Sequence, residues 1–81
     1  MIYAVDVKLY YNVDMGDTFI TEFHSVENVV SKNLLPYDKV IEIALKEAIK
    51  DLEDIYGVIE ECIKYSKANI IGVVDNEYFK D

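Results

Sequence analysis

The first thirteen residues alternate between apolar and polar positions with a period of two. Apolar side chains occupy one face at every second position: Tyr3, Val5, Val7, Leu9, Tyr11 and Val13. Asp6, Lys8 and Asn12 mark the other face. This alternation predicts a β-strand with one buried face and one solvated face. Turn residues at 14–17 and a second run of β-branched and aromatic residues at 18–25 then predict a β-hairpin.

The clearest periodicity of the chain follows Pro36, whose missing N–H suits the first turn of a helix. Apolar residues recur there at alternating spacings of four and three: Ile41, Leu45, Ala48, Leu52, Ile55, Ile59 and Cys62. The pattern predicts an amphipathic helix over 37–66 whose apolar stripe faces a core. Because the stripe keeps its phase across Gly57, we expect one helix, straight or mildly kinked. The alternative is a break into two helices at this glycine.

The remaining segments complete a small sheet. Residues 26–33 lack periodicity and are interpreted as a connection, while the apolar run 69–74 predicts a central strand. A tight turn at 75–76 would lead into a short edge segment at 77–79. The predicted fold class is α+β: a small antiparallel sheet of three to four strands covered on one face by one long or two consecutive amphipathic helices. With 81 residues, the chain is expected to form a single domain, 1–81.

The composition is strongly acidic. Sixteen Asp and Glu residues oppose eight lysines, there is no arginine, and the net charge is -8. Arginine is the side chain that recognises phosphate with a planar fork of donors. Its absence and the negative charge argue against direct binding of nucleic acid or of an anionic membrane surface. The same charge favours proteins that themselves bind polyanions, so the expected partner is a basic nucleic-acid-binding protein.

The sequence also has the features of a cytoplasmic protein. Cys62 is the single cysteine, which excludes an internal disulfide and is typical of a reducing compartment. The N-terminus lacks the basic segment and apolar run of a signal peptide, and no apolar run is long enough to span a bilayer. We therefore expect a small soluble protein of the cytoplasm.

The acidic residues are concentrated rather than spread. Residues 51–61 contain five of them and no lysine. On a continuous helix, Glu47, Asp54 and Glu61 would recur every seven residues along one outer face, and such a row of carboxylates resembles the phosphates of a nucleic-acid strand. The predicted partner-binding residues are therefore Glu47, Asp51, Glu53, Asp54, Glu60 and Glu61. A second acidic patch, within the first 31 residues, contains Asp14, Asp17, Glu22 and Glu27.

Candidate catalytic and metal-binding residues are few. His24 lies beside Glu22 in the second predicted strand, but no nucleophile accompanies the pair in a recognisable motif. Asn12, Asp14 and Asp17 crowd oxygen donors into six residues, yet their spacing departs from that of a calcium-binding loop. The sequence therefore predicts no enzyme activity, no cofactor and no metal site, with a site at one of these two places as the alternative.

The leading functional hypothesis is a small acidic protein that mimics nucleic acid and inhibits a basic nucleic-acid-binding protein. In size, acidity and lack of catalytic motifs, the chain is similar to the small acidic proteins that phages encode against host restriction or CRISPR systems. That resemblance implies an anti-defence role. The alternative is a small structural or adaptor protein that self-associates as a homodimer through the helix and inhibits nothing, because the predicted apolar stripe is longer than the sheet needs.

Overall fold

The computed structural model describes residues 1–12 and 19–75. This part of the chain contains strand β1 (Ile2–Tyr11), strand β2 (Thr21–Val30), helix α1 (Tyr37–Tyr56) and strand β3 (Ile63–Val74), with a 3-10 turn at Glu60–Cys62. The three strands form an antiparallel sheet in the order β2-β1-β3. The predicted α+β class is confirmed. The predicted turn at 14–17 and the edge segment at 77–79 lie outside the described residues.

Strand β1 lies in the middle of the sheet and supplies much of the core. Its alternation is confirmed, because Tyr3, Val5, Val7 and Leu9 are buried while the residues between them are only partly covered. β1 pairs with β2 along one edge and with β3 along the other. The expectation that 69–74 is the central strand is therefore wrong. That segment is the end of β3, an edge strand with many exposed side chains, although its apolar composition resembles that of a buried strand.

Strand β2 is longer than the sequence pattern suggested. Residues 26–30, interpreted above as a connection, continue the strand and pair with β1 as far as Ile2, opposite Val30. Val29 is buried in the core. Backbone pairing fixes this end further, since the Ser31 N–H donates to the Met1 carbonyl at 2.8 Å. Pairing with a long central strand thus overrides the weak local pattern of this segment.

Helix α1 packs against the sheet through residues spaced four apart. Val40, Ala44, Ala48 and Leu52 are fully buried, and larger side chains such as Ile41, Leu45 and Ile49 flank them, partly buried. Two alanines in the buried row let the helix approach the strands closely. The prediction of an amphipathic helix is confirmed, but the row that faces the core is rotated from the predicted stripe.

The helix ends at Tyr56, so the expectation of continuity to residue 66 is wrong. Gly57 adopts a left-handed conformation (φ 71°, ψ 18°), and its N–H donates to the Glu53 carbonyl oxygen at 2.8 Å. This conformation is cheap for glycine alone, and it redirects the chain so that Val58 enters the core. Residues 63–66, predicted as helix, belong to β3, because pairing with β1 satisfies their backbone groups.

The part of the chain that the structure describes contains no helix that is both long enough and apolar enough to cross a bilayer. Helix α1 has 20 residues, but it alternates charged and apolar positions along its whole length.

A pair of substitutions separates the observed core from the predicted stripe. Leu52→Ala should lower the free energy of unfolding by about 2–5 kcal/mol, because Leu52 is fully buried. Ile55→Ala should change it by less than about 0.5 kcal/mol, because the Ile55 side chain is 65% exposed. Urea denaturation followed by circular dichroism measures both values. Equal losses for the two variants would contradict the observed packing.

Candidate functional site

The structure divides the predicted acidic residues among separate places. Two of them, Asp51 and Glu47, lie on the middle of α1 next to Glu27 of β2. Four others lie at and beyond the C-terminal end of α1: Glu53, Asp54, Glu60 and Glu61. Glu22 lies on the opposite face of the sheet, beside Tyr10. Asp14 and Asp17 lie outside the described residues.

The first group brings the two predicted acidic patches into contact. Glu27 pairs with the buried Val5, so its side chain lies on the face of the sheet that α1 packs against. Burial raises the pKa of the Glu27 carboxyl, and a hydrogen bond and charge repulsion from Asp51, with repulsion from Glu47, raise it further. The neighbouring Ser25 hydroxyl opposes this shift. Its oxygen is buried and makes no hydrogen bond of normal geometry within the described residues.

This carboxylate group is costly to the fold at neutral pH. A raised pKa means that the folded protein favours the neutral acid. The stabilisation from Glu27 is therefore complete below the ordinary pKa of 4.5 and is lost as the pH rises through the raised value. The group is consequently a source of pH-dependent stability. Glu27 and Asp51 are partly buried in it, whereas Glu47 remains exposed on the surface of α1.

Glu27→Gln tests this assignment. The variant should melt at a higher temperature than the unmodified protein at pH 7, and it should lose part of the stability that the unmodified protein gains as the pH falls from 7 towards 4.5. Thermal melts at a series of pH values measure the difference. Glu60→Gln is the control, because Glu60 is exposed and lies in the 3-10 turn. The same pH dependence for both variants would disprove the coupling at Glu27.

The second group forms a surface that we call the acidic corner. It contains Glu53, Asp54, Ile55, Tyr56, Ile59, Glu60 and Glu61. Ile55, Tyr56 and Ile59 are 65%, 63% and 49% exposed, although they are large and apolar. The four acidic residues among them are exposed as well. The corner therefore combines carboxylates with uncovered apolar side chains in one short stretch of the chain.

The local structure explains how these side chains come to the surface. Gly57 ends the helix and Val58 takes the next core position, so Ile55 and Ile59, both predicted to be buried, remain outside. The ring of Tyr56 makes an edge-to-face contact with Phe23 of β2, with ring centroids 6.0 Å apart. This contact holds the Tyr56 ring against the sheet while much of its surface stays exposed. Sequence reasoning missed this exposure, because the apolar spacing predicts that Ile55 and Ile59 face the core.

The predicted row of Glu47, Asp54 and Glu61 along one helix does not form. Glu61 lies in the 3-10 turn, after the helix has ended. Two acidic residues of the corner lie in the last turns of α1, and the other two lie in the 3-10 turn that follows.

Electrostatics at this end of α1 are unfavourable for acids. The C-terminus of a helix carries a partial negative charge, which repels nearby carboxylates by about 0.3–1 kcal/mol each. Glu53 and Asp54 lie in the last turns of α1, and its last turn contains no basic residue. The ion pairs of α1 form nearer its N-terminus, where Glu42 contacts Lys39 at 3.7 Å and Lys46 at 3.3 Å. The corner thus concentrates negative charge next to the partial negative charge of the helix C-terminus, which is unfavourable for the stability of the fold.

The outer face of the sheet, opposite α1, holds the other candidate side chains. The imidazole of His24 contacts the Asp6 carboxylate, not Glu22. Glu22 instead accepts a hydrogen bond from the Tyr10 hydroxyl, which raises the pKa of Tyr10. Within residues 1–12 and 19–75, no three His, Cys, Asp or Glu side chains are arranged to hold a metal ion.

Comparisons with models of protein families, with curated proteins and with solved structures return no match for this chain.

Proposed function

We propose that the chain is a small acidic inhibitor that occupies the basic groove of a nucleic-acid-binding protein. The observation that carries this proposal is the acidic corner, where four exposed carboxylates and three exposed apolar side chains occur together within residues 53–61. The corner contains much of the predicted binding set, namely Glu53, Asp54, Glu60 and Glu61. Glu47 and Asp51 continue the acidic surface along α1.

The cost of the corner to the fold supports a role in binding. Carboxylates next to a helix C-terminus and next to each other lower the stability of the protein that carries them. Sequences commonly retain such unfavourable groups where function requires them. A basic partner would neutralise the charge, so the repulsion that is unfavourable in the free protein would be relieved in the complex.

The mixture of side chains supports a protein partner. Carboxylates that face a basic groove of the partner raise the association rate. Apolar and aromatic side chains that become buried in the interface contribute most of the binding energy. Ile55, Tyr56 and Ile59 provide the apolar part, and Tyr56 is already oriented by Phe23. Protein interfaces commonly place such anchors inside a polar rim.

The biological role that we propose is anti-defence, in the manner of the small phage proteins that the chain is similar to in size and acidity. Its target would be a restriction or CRISPR component, and its location would be the cytoplasm. In this proposal α1 covers one face of the sheet and presents the acidic corner at its C-terminal end. The chain has no catalytic activity of its own in this proposal.

Affinity capture from a host lysate at low and at moderate salt, followed by mass spectrometry, identifies the partner. We expect nucleic-acid-binding proteins to be enriched and to be lost as the salt concentration rises, because ions screen the attraction. Captured proteins without such enrichment would overturn the proposed function.

Removing the charge of the corner tests its contribution. The variant Glu53→Gln/Asp54→Asn/Glu60→Gln/Glu61→Gln should melt at an equal or higher temperature, because repulsion is relieved. Its association rate with the captured partner should fall at least about tenfold, with a flatter dependence on salt. Surface plasmon resonance at several salt concentrations measures the rates.

A matched pair separates the position of the charges from their number. Glu60→Gln/Glu61→Gln and Asp38→Asn/Glu42→Gln each remove two negative charges, which changes the net charge from -8 to -6. Only the first pair should slow association strongly. Equal effects of the two pairs would show that net charge alone matters and that the corner is not the contact surface.

The apolar side chains of the corner should act on dissociation. Ile55→Ala/Ile59→Ala removes exposed side chains, so the melting temperature should change little. The dissociation rate from the partner should rise about tenfold or more if these residues are anchors. An unchanged dissociation rate would restrict the contact to the carboxylates.

A further inference from the structure

The outer face of the sheet has a simple layout that follows from the strand register. Five residues of β1 point to this face, and each has one neighbour on β2 and one on β3. One half of the face is uncharged and consists of Ile2, Ala4, Asn28, Val30, Ile71, Gly72 and Val74. The other half consists of Lys8, Tyr10, Glu22, His24, Tyr65 and Lys67. Val26, Asp6 and Asn69 lie between the two halves.

The charge of this face differs from that of the rest of the molecule. Asp6 and Glu22 balance Lys8 and Lys67, so the face is neutral when His24 is neutral, whereas the whole chain has a net charge of -8. Two copies that meet through this face therefore avoid most of the repulsion that two acidic helix sides would produce.

The uncharged half exposes apolar side chains. Val30, Ile71 and Val74 are exposed by between 43% and 69%, and Val26, next to this half, falls in the same range. Ile71 also belongs to this face. Ile70 pairs with Val5 and packs against the core, so the next residue points outward. The register shift then places Gly72 opposite Ala4, and Ile71 is the extra residue between the two pairs. These side chains lie on neighbouring strands and form a continuous apolar area.

Gly72 leaves room for a side chain on the uncharged half of the face. Its φ is not positive, and a Cβ at this position would meet only the Cβ of Ala4, at 3.9 Å, which is an ordinary contact. The fold itself therefore accepts a side chain here. A glycine inside a strand often marks a bulge, which the register shift beside Gly72 provides, or a place where another chain approaches closely. The small residues Ala4 and Gly72 leave a shallow depression on the uncharged half.

The other half of the face carries two stacked tyrosine rings and a lysine, which project from the sheet and suit an apolar partner. The rings of Tyr10 and Tyr65 are stacked, with centroids 4.4 Å apart and planes inclined by 20°. The Lys67 ammonium lies 5.8 Å from the centroid of the Tyr10 ring. Tyrosine rings and lysine stems pack well on apolar surfaces while their polar ends remain hydrated.

We propose that the outer face of the sheet is a self-association surface and that its occupant is a second copy of this chain. The two sheets would stack face to face with their strands running in opposite directions. The lysine and tyrosine half of each copy would then lie over the uncharged half of the other, including Ala4 and Gly72. No charged half faces its own copy in this arrangement.

The area fits a weak dimer. Three strands spaced about 4.8 Å apart and ten residues long, at about 3.4 Å each, give a face of about 490 Å² in projection. Stable complexes bury about 800 Å² on each partner, and smaller interfaces are generally transient. The surface is separate from the acidic corner, so the proposal does not depend on the proposed function, and a dimer would present a corner on each copy.

Sedimentation velocity of the full chain over about 10 µM to 1 mM tests the proposal together with two substitutions of Gly72. Gly72→Lys would face Lys67 of the second copy, and Gly72→Glu would form an attractive pair with the same residue. The lysine variant should therefore dissociate with a Kd about tenfold higher than the glutamate variant. Repulsion between the net charges of two copies alone predicts the reverse order of Kd values. Gly72→Lys makes the net charge less negative, and Gly72→Glu makes it more negative.

Ser66→Lys and Ser66→Glu are the matched controls, because Ser66 is exposed on the same strand but pairs with the buried Leu9 on the opposite face. They should follow the order set by repulsion between the net charges. Thermal melts confirm that all four variants fold. A strict monomer at 1 mM would overturn the proposal. A dimer whose Kd follows net charge at both positions would also overturn it, and that result would place the contact at α1 or at the outer edge of β3.

Discussion

Burial of one face of β1 is the constraint on which the rest of this structure depends. Tyr3, Val5, Val7 and Leu9 are buried in the core together with residues of α1, and the same strand forms hydrogen-bonded pairs along both of its edges. A strand in that position satisfies its own backbone groups and provides much of the core. The positions of the other elements follow, because each must either pair with β1 or pack on its apolar face.

The end of α1 determines where the acidic and apolar side chains of the candidate site lie. A left-handed glycine stops the helix, and the buried Val58 anchors the chain that returns to the sheet. The residues around this point cannot all reach the core, so Ile55 and Ile59 remain exposed among carboxylates. The binding surface that we propose is thus a consequence of how the helix terminates.

The two sides of the molecule differ in charge because the strands and the helix carry different residues outward. The helix side carries most of the acidic residues that the structure describes, whereas lysines and tyrosines occupy one half of the outer sheet face. Under the two proposals, such a division would give one small domain two surfaces for different partners. An acidic surface attracts basic proteins over long distances, and a neutral apolar surface binds only at close range.

The sequence by itself determined the strand alternation from Tyr3 to Leu9, the amphipathic helix after Pro36 and the acidic character of residues 51–61. These features depend on local periodicity and composition, which need no knowledge of distant contacts. Tertiary structure decided the rest. Pairing with β1 extended β2 through 26–30 and made residues 63–66 a strand, since backbone hydrogen bonds outweigh weak local preference.

The candidate site shows the same division. Sequence alone named the acidic residues, but it could not show that Glu27 meets Asp51, because these residues come together only when α1 packs on β2. It also could not show that Ile55 is exposed, because the phase of the apolar stripe continues through Gly57 while the backbone does not. A side-chain pattern records which residues prefer burial, and only the folded chain decides which of them the available core can accommodate.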